Sequence, residues 1–269
     1  MADDKQFANA HLLLSTQWLA DHLSDSDLRL VEVTPPGSGY VLGHIPGAVF
    51  LNLGDVFTGH TREFAHGVGP IDEAAAVLGQ LGIAPDRHVV VYDATGGQRA
   101  AKLFWLLEYL GFDRVAVLEG GIERWMAEGR ATTRLQPKVD AVTFTPAPRP
   151  DRLATADWIV TRLDDAGLLL VDCRAPDEYA SGHIPGALNW PWDRALTRRA
   201  YQAFRSAGEL QAEFSGLGAT PGQEIVTYCL TAVRAAHTYL TLRLLGYDHV
   251  RNYEGSWTEW SARPDLPKA

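Results

Sequence analysis

The chain has 269 residues, of which 46% are apolar and 21% charged, a mixture that is typical of folded domains and excludes disorder as the main state. The net charge of −9 argues against nucleic acids and anionic membranes as partners, and no apolar run reaches the ~18 residues that a membrane span requires. The start of the chain lacks the basic residues of a signal peptide and two cysteines cannot build a disulfide framework, so we expect a protein of the reducing cytoplasm.

Short, almost continuously apolar segments alternate with helical patterns along the chain. Strands are predicted at Leu28–Val33, Val89–Tyr92, Val115–Leu118, Leu168–Val171, Ile225–Tyr228 and Val250–Tyr253. Helices are predicted at Arg99–Leu110 and Arg234–Leu245, each followed by a glycine that can take the left-handed conformation of a helix end. This alternation predicts an α/β fold in which a mainly parallel, doubly wound sheet has helices on both faces and right-handed crossovers.

The sequence repeats itself once. The motif GHIPGA occurs at Gly43–Ala48 and again at Gly182–Ala187. Arg99–Trp125 also aligns without gaps to Arg234–Trp260, with 11 identities in 27 positions. We therefore interpret the chain as one domain of about 130 residues that is used twice.

A proline-rich stretch separates the two copies. Residues 132–152 contain prolines at positions 146, 148 and 150, which favour extended backbone and suit a linker that crosses the surface of one domain. The predicted domains are therefore residues 1–131 and residues 153–269.

Cys229 directly follows a predicted strand and opens a loop that leads into the helix headed by Arg234. Ligands of open parallel sheets bind at the carboxyl ends of the strands. Converging loop N–H groups, the helix N-terminus and the Arg234 charge would favour thiolate over thiol and would hold a transferred anionic group. We predict that Cys229 is a nucleophile rather than a small buried residue. Cys173 has no comparable loop and is predicted to be a packed structural thiol.

Three motifs occur in the order that a known family requires. An aromatic residue, three others and His-Ile-Pro-Gly-Ala match at Tyr40–Ala48 and again at Tyr179–Ala187, and a C-terminal signature matches at Val250–Trp260. The Cys229 loop lies between the second and third of these matches. Over nearly its whole length the chain resembles a tandem rhodanese, a sulfurtransferase with two rhodanese domains.

The resemblance implies a catalytic C-terminal domain and an inactive N-terminal one, because Asp93 stands where the first domain would need a cysteine. It places the active site between the domains, with Cys229 at the floor of the cleft. Cys229 would take the outer sulfur of thiosulfate as a persulfide and pass it to a thiophilic acceptor such as cyanide. The residues that would bind substrate through loop N–H groups and the arginine charge are Leu230, Thr231, Ala232, Val233 and Arg234. No metal or cofactor is indicated.

Other residues match family positions with less defined roles. Asp172 and Arg174 form the family's Asp-x-Arg element and could orient the Cys229 loop or simply form an ion pair. His44 and His183 are expected to be structural parts of the GHIPGA turns, although the N-terminal copy can approach the cleft in similar enzymes. Four tryptophans are expected to anchor the core or the domain interface: Trp190, Trp192, Trp257 and Trp260.

Two departures from the family pattern bear on the substrate. Ala232 stands where many members have Gly, so its Cβ would narrow the pocket or restrict the loop dihedrals. Glu178 stands where thiosulfate-type and mercaptopyruvate-type relatives tend to have Arg, which removes a clamp for a 2-oxo carboxylate and favours thiosulfate over 3-mercaptopyruvate.

Several alternatives remain open at this point. The chain could be a 3-mercaptopyruvate sulfurtransferase, a persulfide carrier for the thiol of a protein partner, or a scaffold of two degenerate modules. Cys-dependent phosphatases place five residues between Cys and Arg, whereas only four lie between Cys229 and Arg234. We therefore expect negligible phosphatase activity.

Overall fold

The computed structural model describes residues 6–35, 37, 39–57, 70–198 and 201–269. Within these residues the chain forms two five-stranded sheets, one two-stranded hairpin and nine α-helices. The longest helices have 12 residues, and no helix of the described chain is long and apolar enough to cross a membrane.

The first sheet is entirely parallel, with strand order β1-β5-β4-β2-β3. Its strands are β1 (Leu13–Leu14), β2 (Leu28–Val33), β3 (Val49–Leu51), β4 (His88–Tyr92) and β5 (Val115–Leu118). The helices of this half are α1 (Thr16–His22), α2 (Ile71–Gln80), α3 (Gln98–Tyr109) and α4 (Gly121–Ala127). The central strand β4 has four buried residues of five, because helices cover both faces of the sheet.

The second sheet repeats this arrangement. Its strands are β6 (Leu153–Ala154), β7 (Leu168–Asp172), β8 (Leu188–Asn189), β11 (Glu224–Tyr228) and β12 (Val250–Tyr253), and β9 (Leu196–Arg198) pairs separately with β10 (Gln202–Phe204). The helices are α5 (Ala156–Val160), α6 (Pro176–Ala180), α7 (Ala207–Gly216), α8 (Val233–Leu244) and α9 (Ser256–Ala262). The order β6-β12-β11-β7-β8 is that of the first sheet, so the predicted duplicated α/β fold is confirmed.

The two halves meet through α3 and α8, which pack against each other. One hydrophobic cluster contains buried residues of both helices, including Phe104 and Tyr239. Gly111 and Gly246 take the predicted left-handed conformation after the two helices, at φ 89° and 91°. Each helix begins and ends one residue earlier than the sequence indicated. Since each helix follows the strand-end loop of its own half, the two loops lie close to the domain interface.

The segment predicted as a linker is extended and follows the surface of the N-terminal half. The N–H groups of Val142 and Ala147 donate to the carbonyls of Gly79 and Leu110, at 2.9 and 2.8 Å. Phe144 is buried against the N-terminal core. We propose that the domain boundary lies in this segment.

Candidate active site

Cys229 is the first residue after β11 and is 1% exposed. Its N–H donates to the Ser256 hydroxyl at 3.2 Å, and its carbonyl accepts from the Trp257 N–H at 2.9 Å. The Ser256 hydroxyl in turn donates to the Tyr253 carbonyl at 2.8 Å. The backbone of Cys229 is therefore fixed by the start of α9, which carries the C-terminal signature motif.

The loop that follows Cys229 is shorter than the sequence indicated, because α8 begins at Val233. Ala232 precedes this helix in the left-handed conformation, with φ 59° and ψ 7°, and it is fully buried. Its Cβ therefore constrains the backbone, while Thr231 and Val233 on either side line the neighbouring pocket. Of the two effects expected for this Cβ, restriction of the loop dihedrals is the one that the structure supports.

The loop amides are available to a group bound at Cys229. Among the described residues, no side-chain atom accepts a hydrogen bond from the backbone N–H groups of residues 230–234. The Leu230 carbonyl accepts from the Thr258 N–H and hydroxyl, at 3.2 and 2.7 Å. The loop is thus held through its carbonyl, which leaves its donors free for an anion.

Arg234 forms a two-point ion pair with Glu178. The two guanidinium nitrogens lie 2.6 and 2.8 Å from the carboxylate oxygens. The hydrogen bonds from Arg234 lower the pKa of Glu178 to about 2, while Glu178 and the Cys229 sulfur both raise the pKa of Arg234. The full free charge that the sequence led us to expect at Arg234 is therefore balanced by a carboxylate.

A pocket of about 260 Å³ lies between the domains, beside the Cys229 loop. The C-terminal domain contributes Thr231, Val233 and Glu254 to its lining. The N-terminal domain contributes the remaining lining residues, Asn52, Leu53, Gly54, Phe57, Arg99 and Lys102. The volume is suited to a small molecule, and most of the wall belongs to the domain without the cysteine.

Lys102 and Glu254 form a buried ion pair across this pocket. The Lys102 ammonium contacts both Glu254 carboxylate oxygens and lies 4.5 and 4.8 Å from the ring centres of Phe57 and Trp105. Burial lowers the pKa of Lys102, and this is opposed by Glu254 and, to a smaller extent, by Cys229. Burial likewise raises the pKa of Glu254, opposed by Lys102.

Sequence reasoning missed this pair. A signal was present, because Lys102 interrupts the otherwise apolar run from Ala100 to Leu107. Such a lysine on a fully buried helix needs a partner.

Asp93 occupies the corresponding position in the N-terminal domain, at the end of β4. Its carboxylate accepts four backbone hydrogen bonds, from Thr95 and Gly97 at 2.8 Å each and from Arg99 and Ala100 at 2.8 and 3.0 Å. The carboxylate is buried and fills the loop. The centre of this loop is consequently occupied by an internal anion and carries no thiol.

Asp172 and Arg174 form a buried two-point ion pair, with contacts of 3.0 and 2.6 Å. The Arg174 guanidinium also donates to the Gly182 carbonyl at 2.7 Å and lies 4.8 Å from the Trp257 ring centre. Trp257 donates to the Cys229 carbonyl. The pair therefore reaches Cys229 from two sides, through Trp257 and through Tyr228, which directly precedes Cys229, pairs with Asp172 in the sheet and has its ring centre 6.0 Å from the Arg174 guanidinium.

The histidines of the two GHIPGA turns hold chain segments in place. His44 is fully buried, stacks on Tyr40, and has ring nitrogens 2.9 and 3.2 Å from the carbonyls of Tyr40 and Leu135. His183 stacks on Tyr179 in the same way, with a ring nitrogen 3.1 Å from the Tyr179 carbonyl. Neither lines the pocket between the domains.

The remaining candidates are packing residues in the structure. Cys173 is fully buried, its thiol donates to the Val171 carbonyl at 3.6 Å, and burial raises its pKa well above the usual range. Trp190 and Trp260 are buried in the core, and Trp192 packs edge-on against His237. No group of His, Cys, Asp and Glu among the described residues could hold a metal ion.

Comparison with known proteins agrees with this architecture. The family model of the rhodanese-like domain matches residues 15–128 and again residues 155–263. A thiosulfate sulfurtransferase of Azotobacter vinelandii is 36% identical over 270 residues, which cover 97% of this chain and 98% of that protein. A sulfur carrier protein of Thermus thermophilus is 34% identical over 285 residues and covers 98% of both chains.

A solved structure shares the fold over almost the whole chain. The crystal structure of a 3-mercaptopyruvate sulfotransferase from Escherichia coli superimposes with a TM-score of 0.81 at 28% identity, covering 92% of this chain and 99% of that one. The resemblance inferred from the three sequence motifs is thereby confirmed. The chain belongs to the rhodanese family of sulfurtransferases, with two rhodanese-like domains in tandem.

Proposed function

We propose that the protein transfers the sulfane sulfur of thiosulfate to a thiophilic acceptor, with Cys229 as the sulfur carrier. The observation that carries this proposal is the contrast between the two strand-end loops. The amides after Cys229 are free of side-chain acceptors among the described residues and lie beside a pocket, whereas four of the amides after Asp93 donate to its carboxylate.

The proposed reaction has two steps. The Cys229 thiolate attacks the outer sulfur of thiosulfate, the sulfur–sulfur bond breaks, and sulfite leaves with the bonding electron pair. The acceptor, for example cyanide, then attacks the outer sulfur of the Cys229 persulfide, and thiocyanate leaves while the thiolate is restored. Covalent catalysis of this kind divides one difficult transfer into two easier steps. The N–H groups of residues 230–234 would stabilise the negative charge of the persulfide.

The choice of thiosulfate over 3-mercaptopyruvate rests on Glu178. This residue stands at the position that carries a clamping arginine in similar enzymes, and its carboxylate is paired with Arg234. The clamp that would hold a 2-oxo carboxylate at this position is therefore missing.

Steady-state formation of thiocyanate tests the donor. With cyanide as acceptor, we expect kcat/KM for thiosulfate to exceed that of the pyruvate-derived donor 3-mercaptopyruvate on one preparation. A large preference for 3-mercaptopyruvate would rule out thiosulfate as the preferred donor, but the protein would still be a sulfurtransferase. Cys229→Ser is expected to abolish turnover with either donor, and Cys173→Ser serves as the control that keeps it.

A second candidate function is delivery of the persulfide to the thiol of a protein partner in the cytoplasm. Two observations favour it: one relative is named a sulfur carrier protein, and Leu230, directly after Cys229, is 43% exposed and could contact a partner. A pure carrier would give a single-turnover burst of thiocyanate in place of steady-state formation.

A further inference from the structure

The pocket beside Cys229 contains charged side chains from both domains. Arg99 and Lys102 belong to α3 of the inactive domain, and Glu254 belongs to the active domain. Lys102 and Glu254 neutralise each other in a buried pair. Arg234, behind the loop, is likewise neutralised by Glu178. The net charge available to a ligand in the pocket therefore depends on Arg99.

Arg99 has no partner for its own charge among the described residues. Throughout the part of the chain that the structure describes, its guanidinium makes no ion pair and no hydrogen bond, although it lines the pocket and is only partly exposed. An arginine of this kind presents a fixed, planar set of donors that matches the oxygens of a sulfonate or a carboxylate.

The inactive loop fixes the position of Arg99. Its backbone N–H donates to the Asp93 carboxylate at 2.8 Å, and Asp93 is itself held by three further amides. The start of α3 is thus anchored at the point where the Arg99 side chain leaves the helix for the pocket. Asp93 acts here as a positioning residue.

We propose that Arg99 binds the anionic end of the sulfur donor, so that the inactive domain supplies the donor-binding charge for Cys229. The inference rests on the proposed function and names the residue that selects an anionic donor. The acidic chain as a whole repels such a donor, since its net charge is −9, and one uncompensated arginine in the pocket provides local attraction. The ligand class is a small molecule with a sulfane or thiol sulfur at one end and an oxyanion at the other.

Arg99→Gln tests this proposal in the full-length protein. We expect kcat/KM for thiosulfate to fall by about tenfold to a hundredfold, mainly through KM, because a charge-assisted contact to the donor is lost. Arg99→Lys should recover part of this loss. The matched control is Arg114→Gln, which changes the net charge equally at a surface arginine paired with Asp27, outside the pocket.

A second measurement separates donor binding from general damage to the site. The persulfide is formed first with excess thiosulfate, the protein is desalted, and discharge by the uncharged thiol dithiothreitol is followed. We expect the wild-type and Arg99→Gln proteins to discharge at equal rates, since this acceptor has no anionic group. An unchanged KM for thiosulfate in Arg99→Gln, or an equal loss in loading and discharge, would overturn the proposal.

The same variants distinguish failure of this inference from failure of the proposed function. If the wild-type protein uses 3-mercaptopyruvate and not thiosulfate, the donor assignment falls. A selective loss of 3-mercaptopyruvate turnover in Arg99→Gln would then still support Arg99 as the donor-binding cation. Unchanged 3-mercaptopyruvate turnover in this variant would reject that role.

Discussion

The two domains build the same strand, loop and helix at the same edge of the sheet, and they fill the loop differently. In the N-terminal domain the Asp93 carboxylate accepts four backbone N–H groups. In the C-terminal domain Cys229 stands at this point, and no described side chain accepts from the amides that follow it. We propose that both loops act as anion-binding loops, of which one holds the internal Asp93 carboxylate and the other binds a transferred anionic group.

The helices α3 and α8, which pack against each other at the interface, also differ. The sequence repeat places Lys102 of α3 and His237 of α8 at equivalent positions, each directed toward the other domain. Lys102 forms a buried ion pair that lines the pocket, whereas His237 is fully buried between the Phe204 and Trp192 rings. Phe204 belongs to the hairpin β9–β10, and its N–H donates to Glu119 of the N-terminal domain. The C-terminal domain thus covers the Asp93 loop, while the Cys229 loop lies beside a pocket.

The largest expected effect on stability comes from removing the carboxylate that fills the loop of the N-terminal domain. Asp93→Ala should lower the free energy of unfolding by about 3 kcal/mol, because four amides lose a charged acceptor. Sulfate should recover part of the loss by binding at the vacated helix N-terminus. Urea denaturation with and without sulfate measures both effects, and Asp93→Asn, which keeps one oxygen, should lose less. Equal sulfate dependence of the wild-type and Asp93→Ala proteins would contradict the proposed anion-binding role of this loop.

A second test concerns the covered side of the interface. Burial lowers the pKa of His237 to about 3, below its usual value of 6.5, so the unfolded chain binds a proton below pH 6.5 that the native protein does not. This contribution to stability is complete above pH 6.5 and is lost as the pH falls toward 3, with a loss of about 2 kcal/mol by pH 5.

His237→Phe should remove this dependence and keep the aromatic packing. The difference in unfolding free energy between pH 7.5 and pH 5 should then shrink by about 2 kcal/mol. Chemical denaturation at the two pH values provides the measurement, and His249→Gln, at an exposed position, is the control. An identical pH dependence in the His237→Phe and wild-type proteins would show that His237 is protonated in the native state.

The smallest effect comes from exchanging the residues at the left-handed positions before α3 and α8. Gly97 and Ala232 are equivalent, with φ of 89° and 59°. Gly97→Ala should lower the free energy of unfolding by about 1 kcal/mol, and Ala232→Gly should raise it by up to about 1 kcal/mol. The reason is that alanine is strained in the left-handed conformation and glycine is not. Thermal unfolding compares the two variants. A destabilised Ala232→Gly protein would mean that the buried methyl group contributes more packing than its backbone costs.

The elements that depend on local sequence were predictable. The central strands follow from apolar runs, Cys229 and Asp93 from their positions at strand ends, and the duplication from the repeated GHIPGA motif. The charge pairs were not, because Lys102–Glu254 and Arg234–Glu178 join residues that are 152 and 56 positions apart. Glu178 was noticed as a departure from the family pattern, but its pairing with Arg234 depends on the packing of α6 against the loop.

Peptide mass measurement shows directly which cysteine holds the transferred sulfur. The wild-type protein is incubated with thiosulfate in the absence of acceptor, and peptide masses are then measured under non-reducing conditions. We predict that the peptide containing Cys229 gains the mass of one sulfur atom, that the peptide containing Cys173 gains none, and that cyanide removes the added mass. Sulfur on Cys173, or thiocyanate formation by a Cys229→Ser protein, would contradict the account.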